Sequence, residues 1–566
     1  MLRKVVGIVP AREHAARRRL LDACEEAFGV RFQGRAIDEC AGLDAVLVLP
    51  AAAADAARLP AALPRLVALA EESPGRAPAS VVPLDLATVA PLDRRLRGAR
   101  LHEDAIGPTA PLPTVPGDVV LATCGAGPVW LARPAAGATT HVVTATPAEL
   151  GEDECLRDRL RDGRFLAVAA LTQFLRLVCD GPGHRPGPVR ACVLFDDPNL
   201  HWTSYGHVRY ADLVRHADAH GYHAAFATVP LDGWFAHPRA TRLFRERPDR
   251  LSLIVHGNDH TRLELARPAG PAARRAMLAQ ALRRVAAFER RSGVPVARIM
   301  AAPFGRCSEE VARELVPLGF EGLCISRPYP WIAYGDRPWL ARPAGTSALA
   351  GWHPASVVAG GLPVLLRQAF SASAQDLALR AFLDQPLIVY GHHDDLRDGL
   401  DRLAELAATV GRLGPVRWQS VGELAAGNVQ TRRDGDVLHA RLLSRRTRVP
   451  VPDGVRRLEV ALGALDGGHE DDIVAWHAGR AHGTVTPGAG PVRIPDGATA
   501  VTVHLRRCGA TDPAAVPAPP RSHRALARRL ATEGRDRLTA VSPATAGILL
   551  RAARVRAGRP AADTAR

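Results

Sequence analysis

Residues 190–202 read RACVLFDDPNLHW, an apolar run that stops on two aspartates and gives way to a Pro-Asn turn. A strand buried on both faces reads as such a continuous run. The pattern recurs downstream. Strand candidates begin near Ala191, His223, Leu251, Arg298, Glu321 and Leu387, with another near Val416. Helical stretches at 207–220, 271–291 and 307–318 separate most of them. Repeated strand-then-helix units imply right-handed crossovers and a parallel sheet. This many of them in about 240 residues imply closure into a barrel. The stretch 326–380 is rich in Pro and Gly and yields no assignable element.

The rest of the 566-residue chain reads as a multidomain α/β protein, since a soft prior of roughly 150 residues per domain gives three or four domains. Residues 1–185 alternate strand candidates (Val5 to Val9, Ala45 to Leu49, Val119 to Ala122) with helical stretches at 11–27 and 51–71. That predicts an open α/β domain, weakly resembling the class I glutamine amidotransferase fold, ending in a linking helix within 151–180. The breaker run DGPGHRPGPVR (180–190) then marks a boundary. The barrel is expected over 190–427. Over 430–511, DGDVLHARLL, RRLEVALGAL, DIVAWHAG and TAVTVHLRR alternate in short segments split by turn residues, predicting a small antiparallel β-sandwich. Residues 512–566 form a Pro-rich linker and a basic, partly helical tail.

Hydrophobic residues make up 47% and charged residues 23%, which excludes a disordered, collagen-like or coiled-coil chain. The net charge is +15, and Lys4 is the only lysine among 73 basic residues. Residues 521–566 hold eleven Arg against Glu533, Asp536 and Asp563, so they carry +8 and the other 520 residues only +7. No nucleic-acid groove is expected from so diffuse a charge. The tail admits three readings: a solvated extension, a contact for an anionic partner, or a weak peripheral membrane contact through ILLRAARVRAG (548–558). Nine cysteines form no CxxC pair and read as reduced, buried side chains. The apolar run near the N-terminus is too short for a signal peptide, and no apolar run reaches the ~20 residues that cross a bilayer. The expectation is a soluble cytoplasmic protein.

A barrel's reactive groups sit where strands end and βα loops begin. The first strand candidate ends in Asp196-Asp197, the third in His256 and the HGNDH run to His260, and the fourth in AAPFG (301–305). The last, PLIVYGHHDDL, ends in His392-His393-Asp394-Asp395. An Asp pair before Pro also opens turns, and HxxxH sets two imidazoles on one face of a helix. Together the clusters have the parts of a hydrolytic metal site. Two imidazoles and one carboxylate leave a position open on a tetrahedral cation such as Zn2+, which lowers the pKa of bound water toward ~7. A second carboxylate takes the water's proton and another histidine protonates the leaving group.

These motifs, in this order, resemble the polysaccharide deacetylase domain (carbohydrate esterase family 4), over about two fifths of the chain, 190–425. The resemblance implies Asp196 as general base, Asp197, His256 and His260 as metal ligands, and the backbone N–H of Phe304 at the oxyanion. It implies His392 or His393 as general acid, and one residue of register decides between them. Three positions depart from the family pattern. Ala301 stands where the family has an Arg that holds the base, with Arg306 a candidate substitute; Gly257 replaces a Ser/Thr, and Pro198 a Gly.

His201, Trp202, Tyr205 and Trp234 fall in βα loops facing the same rim, where aromatic side chains suit sugar rings. Cys124 in LATCGAGPVW weakly echoes a nucleophile elbow, but without a His/Glu partner it reads as structural. His477 reads as a strand residue. The expected activity is metal-dependent removal of an N-acyl group from a sugar, glycan-type or other acylated small-molecule substrate. The competitors are a glycosidase using Asp196 with Asp394 or Asp395, and a non-catalytic carbohydrate-binding or scaffold protein.

Overall fold

The computed structural model describes residues 4–28, 30–69, 81–104, 111–125, 127–135, 137–151, 165–180, 187–261, 263–267, 269–326, 356–358, 362–462, 473–487, 489–506, 510–520 and 522–541. Seven parallel strands close into a barrel. In chain order they are Val189–Asp196, Ala224–Thr228, Leu251–His256, Val296–Ala301, Gly322–Ile325, Leu362–Ala369 and Leu387–Gly391. The first strand pairs with both the second and the seventh, which closes the ring. Val416–Trp418 pairs with the start of the first strand and lies outside the ring.

Two apolar cores follow from the period-two alternation of each strand. Cys192, Leu194, Ala225, Ala227, Ile254, Ile299, Ala301, Cys324, Leu365 and Ile388 fill the barrel interior. Val193, Phe195, Phe226, Leu253 and Val255 face outward, beneath the surrounding helices. A short helix, Val421–Ala426, closes the interior with Val421, Leu424 and Ala425. The sixth strand, Leu362–Ala369, arises inside the stretch that carried no sequence-level assignment.

The first segment forms a nine-stranded mixed sheet. Lys4–Val9, Val30–Gly34, Ala45–Val48, Arg65–Ala68 and Ala138–Val143 run parallel, and the remaining strands join antiparallel. The expected helix over 51–71 is instead a 3-10 turn, Pro50–Arg58, followed by the strand Arg65–Ala68. Alanine-rich composition favoured a helix, but Pro60 and Pro64 interrupt it. Helix Phe165–Asp180 shares a core with this sheet and with Leu379, Phe382 and Leu383 of the barrel's layer. Cys124 ends a buried antiparallel strand that leads into a hairpin, so there is no strand-to-helix elbow at this thiol.

After Asn428, two four-stranded sheets enclose one core. Their pairing is not wholly antiparallel, because Val437–Leu442 runs parallel to Arg457–Ala461. His477 is a strand residue, stacked on His504. Residues 523–541 form a helix, and the segment before it runs along the barrel, where Arg283 donates to the Val516 carbonyl at 2.8 Å. Among the described residues, no helix is long and apolar enough to cross a membrane.

Candidate metal centre and active site

The alternation that fills the barrel also aims its last polar residues. Asp196 has the parity of Cys192 and Leu194, His256 that of Ile254, and Arg367 that of Leu365. All three are buried. His392 continues the parity of Ile388 and Tyr390, and His393 falls on the other side.

Asp197 Oδ1 lies 3.1 Å from His260 Nε2 and 3.9 Å from His256 Nε2. One ligand atom from each of the three residues lies within 4.8 Å of the others. The His256 Nδ1 side meets the Ala301 carbonyl at 2.9 Å. If Nδ1 carries the proton there, Nε2 offers its lone pair to the cluster. His260 does not share a helix with His256. It sits in a loop whose amides, from Asn258 to Thr261, donate to the buried carboxylate of Glu264 at 2.7–3.2 Å. Gly257 opens this loop at φ +62°, where a Cβ would run into Glu264 and Pro303. That close approach accounts for glycine at a position where the resembled family has a hydroxyl residue.

Backbone strain gathers here too. Only five described non-glycine residues have positive φ, and three are Asp197 (70°), His260 (52°) and Phe304 (58°). Such conformations cost of order 1–3 kcal/mol each and collect at functional sites. Phe304 lies in the Pro303–Gly305 turn, its ring 5.5 Å from that of His260.

Asp196 borders the three-residue cluster, with Oδ2 4.0 Å from His256 Nε2, but its other oxygen is held elsewhere. Its Oδ1 accepts from Arg367 Nη1 at 2.5 Å, and Arg367 Nη2 donates to the Ala302 carbonyl at 3.1 Å. The guanidinium lies over the Tyr390 ring. Burial pushes the Asp196 carboxyl up, but Arg367 and the imidazoles of His256 and His392 outweigh it and hold it below the usual range. Arg367 thus takes the place expected of Arg306. It reaches the base from the sixth strand, holding the Ala302 carbonyl beside the position of Ala301. Burial also raises Asp197, yet His260, His256, Arg529 and His392 bring it down to about 2. Desolvation lowers His260 to about 4 against the pull of Asp197, leaving it neutral near pH 7, as a metal ligand must be.

The two strand-end histidines separate. His392 is 48% exposed at the rim, with Nε2 3.9 Å from Asp197 Oδ2. His393 is 2% exposed and packs edge-on against Tyr205, away from the cluster. Asp395 caps the His392 amide at 2.9 Å. The loop aromatics divide similarly. Tyr205 is buried, its hydroxyl donating to the Asp196 carbonyl at 2.5 Å, so it is no open platform. Trp234 is 56% exposed beside the His201 ring. Trp202 lies under Arg537, 4.1 Å from guanidinium carbon to ring centre.

Arg537 belongs to the tail helix, which crosses the barrel mouth instead of extending into solvent. Arg529 is buried, donating to Asp232 Oδ2 at 2.6 and 2.9 Å and to Asp197 Oδ1 at 3.2 Å. Arg528 donates to the carbonyls of Asp259 and His260, and Glu533 accepts from Asn199 at 2.6 Å. Sequence reasoning missed these partners. ILLRAARVRAG, the segment read for membrane contact, lies outside the described residues.

The site is therefore an Asp-His-His cluster with a separately held Asp on the C-terminal rim of a closed parallel barrel. No family model matches the chain, and no curated protein matches its sequence. Solved structures do resemble its barrel, and they are polysaccharide deacetylases of carbohydrate esterase family 4. A family 4 carbohydrate esterase from Streptomyces lividans, in complex with acetate, is 11% identical; the match covers 40% of this chain and 87% of that one, at TM-score 0.23. An esterase of the same family from Streptococcus mutans is 15% identical, covering 41% and 86%, at 0.23. A pseudoenzyme of the family from Bacillus anthracis is 12% identical, covering 43% and 66%, at 0.24. The resemblance is divergent and partial; the reading of the site rests on the distances above.

Two variants probe these contacts. Arg367→Ala leaves the Asp196 charge buried without its partner and is expected to destabilise the protein by about 3–5 kcal/mol. Adding Ala301→Arg to that variant is expected to recover part of the loss, measured by chemical unfolding; no loss in the first variant contradicts the pairing. Arg529→Ala removes a positive charge from Asp197 and is expected to tighten Zn2+ binding by roughly tenfold or more, since such a charge at a few ångströms costs over 1 kcal/mol. Titration calorimetry reads this directly, and an unchanged affinity shows that the guanidinium does not oppose a cation.

Proposed function

We propose that the chain is a hydrolase that holds a divalent cation, Zn2+ by the chemistry of its donors, and removes an N-acyl group from a sugar or glycan-type substrate. One observation carries the reading: Asp197, His256 and His260 present three ligand atoms within 4.8 Å of one another, while Asp196 remains beside them, bound to Arg367 and not to the cluster. The donor set fits, because one carboxylate and two imidazoles are what a catalytic cation with an open position takes. When bound, such a cation supplies Lewis acidity and a water that ionises near neutral pH.

The residues of the chain do the rest. Asp196, ionised and steered by Arg367, takes the proton of the attacking water. The amide of Phe304, on its strained turn, donates to the developing oxyanion. His392, at the solvent-facing rim, gives a proton to the departing amine. Tyr205 and Arg367 fix Asp196 from its carbonyl and carboxylate sides. Trp234, with His201 beside it, offers an exposed aromatic face for a sugar ring.

A second reading has its own support. Arg529 seated on Asp197 fits a barrel in which a guanidinium has replaced the cation and which binds carbohydrate without turnover. The glycosidase reading has less, since Asp395 is spent on the His392 amide and Asp394 faces His207 and His393. Zn2+-loaded protein incubated with N-acetylglucosamine oligomers is expected to release acetate and no new reducing ends. Asp196→Asn is expected to lose at least a hundredfold in rate while keeping the ion at the Asp197–His256–His260 cluster, and Asp197→Asn to lose both the rate and that ion. Acetate release untouched by either substitution overturns the proposal; absence of bound metal in the unaltered protein favours the second reading.

A further inference from the structure

We propose a second divalent-cation site, formed by His207, His393 and Asp394, behind the rim that carries the first cluster. His393 Nδ1 lies 3.5 Å from Asp394 Oδ1, and His207 Nε2 lies 3.7 Å from the same oxygen. The three ligand atoms fall within 4.8 Å of one another. The inference stands on these residues alone and does not depend on the proposed deacetylation.

The telling feature is what the imidazoles lack. His393 Nδ1 and His207 Nε2 are both fully shielded from solvent, and neither has a hydrogen-bond partner. Burying such a group unsatisfied costs about 1–3 kcal/mol, so each requires a reason. Both nitrogens face one carboxylate oxygen, an arrangement that a cation at their centre satisfies at once. The His393 side chain is 3% exposed and that of His207 13%.

The surroundings hold the rings in place. A Cβ on Gly206 would strike the His393 ring, so the neighbouring backbone lies directly against it. Tyr205 also meets that ring edge-on, at 4.9 Å between centroids. The second nitrogen of His393, Nε2, faces Asp536 Oδ2 of the tail helix at 3.5 Å. A carboxylate behind a histidine, on the far side from the metal, fixes the tautomer that leaves the near nitrogen free to ligate. One charge opposes binding: Arg397 Nη2 is 3.9 Å from Asp394 Oδ1, but its side chain is 60% exposed and free to swing out. Two imidazoles and one carboxylate favour Zn2+ over Ca2+ or Mg2+, which take oxygen ligands. The site would tie three segments together: the loop after the first barrel strand, the turn after the seventh, and the tail helix through Asp536.

The full chain, stripped of metal and equilibrated with Zn2+ by dialysis, is expected to hold two Zn2+ per chain by elemental analysis. The Asp197→Asn variant, in which the first cluster is broken, is expected to keep one. Adding Asp394→Asn to it is expected to remove that ion, or to weaken its binding at least tenfold; the side chain is 51% exposed, so the fold should tolerate the change. His207→Gln in the same background is expected to act alike, with the circular dichroism spectrum unchanged. If Asp197→Asn alone holds no Zn2+, or if both added substitutions leave its Zn2+ in place, the second site does not exist. Because Asp197→Asn has already removed the first cluster, neither result bears on deacetylation.

Discussion

The hydrogen-bonded pairing of Val189–Asp196 with both Ala224–Thr228 and Leu387–Gly391 is the constraint on which the rest depends. It closes a seven-stranded ring, and closure leaves each strand only two directions for its side chains: into the barrel or under the helices. With that choice made by the apolar residues, the last polar residue of a strand inherits its direction. Asp196, His256, Arg367 and His392 meet for this reason, although each comes from a separate part of the chain.

The centre they form is a problem in charge balance. Asp196, Asp197 and Asp232 are taken largely out of water, with Arg367 and Arg529 as their cationic partners. Two guanidiniums do not neutralise three carboxylates, and an unbalanced buried charge is expensive. A cation at Asp197 would use the remaining negative charge, but it would also meet Arg529. The tail helix therefore has two effects at the mouth: it supports Asp232 and the loop at His260, and it places a positive charge on the oxygen a metal would share.

Much of this was legible beforehand, and the exceptions have physical causes. Continuous apolar runs ending on Asp196-Asp197, on His256 and on the His392 pair marked the rim, because parallel strands are buried on both faces. The sixth strand went unread because LPVLLRQA lies beside Pro- and Gly-rich sequence. Its one signal was an arginine inside an apolar run, and that arginine holds the base. HxxxH suggested a helix, but Glu264 collects the loop amides and makes a tight turn. The choice between His392 and His393 needed the parity of Ile388, which only the closed interior supplies. The tail looked like solvated charge because its partners are remote: Arg529 meets Asp232 and Asp197 across 297 and 332 positions of sequence.

The most direct measurement is an anomalous difference map at the zinc absorption edge from crystals grown with Zn2+. The account predicts a peak within bonding distance of Asp197 Oδ1, His256 Nε2 and His260 Nε2, with Asp196 still on Arg367. A map without density there, and with Arg529 undisturbed on Asp197, contradicts it.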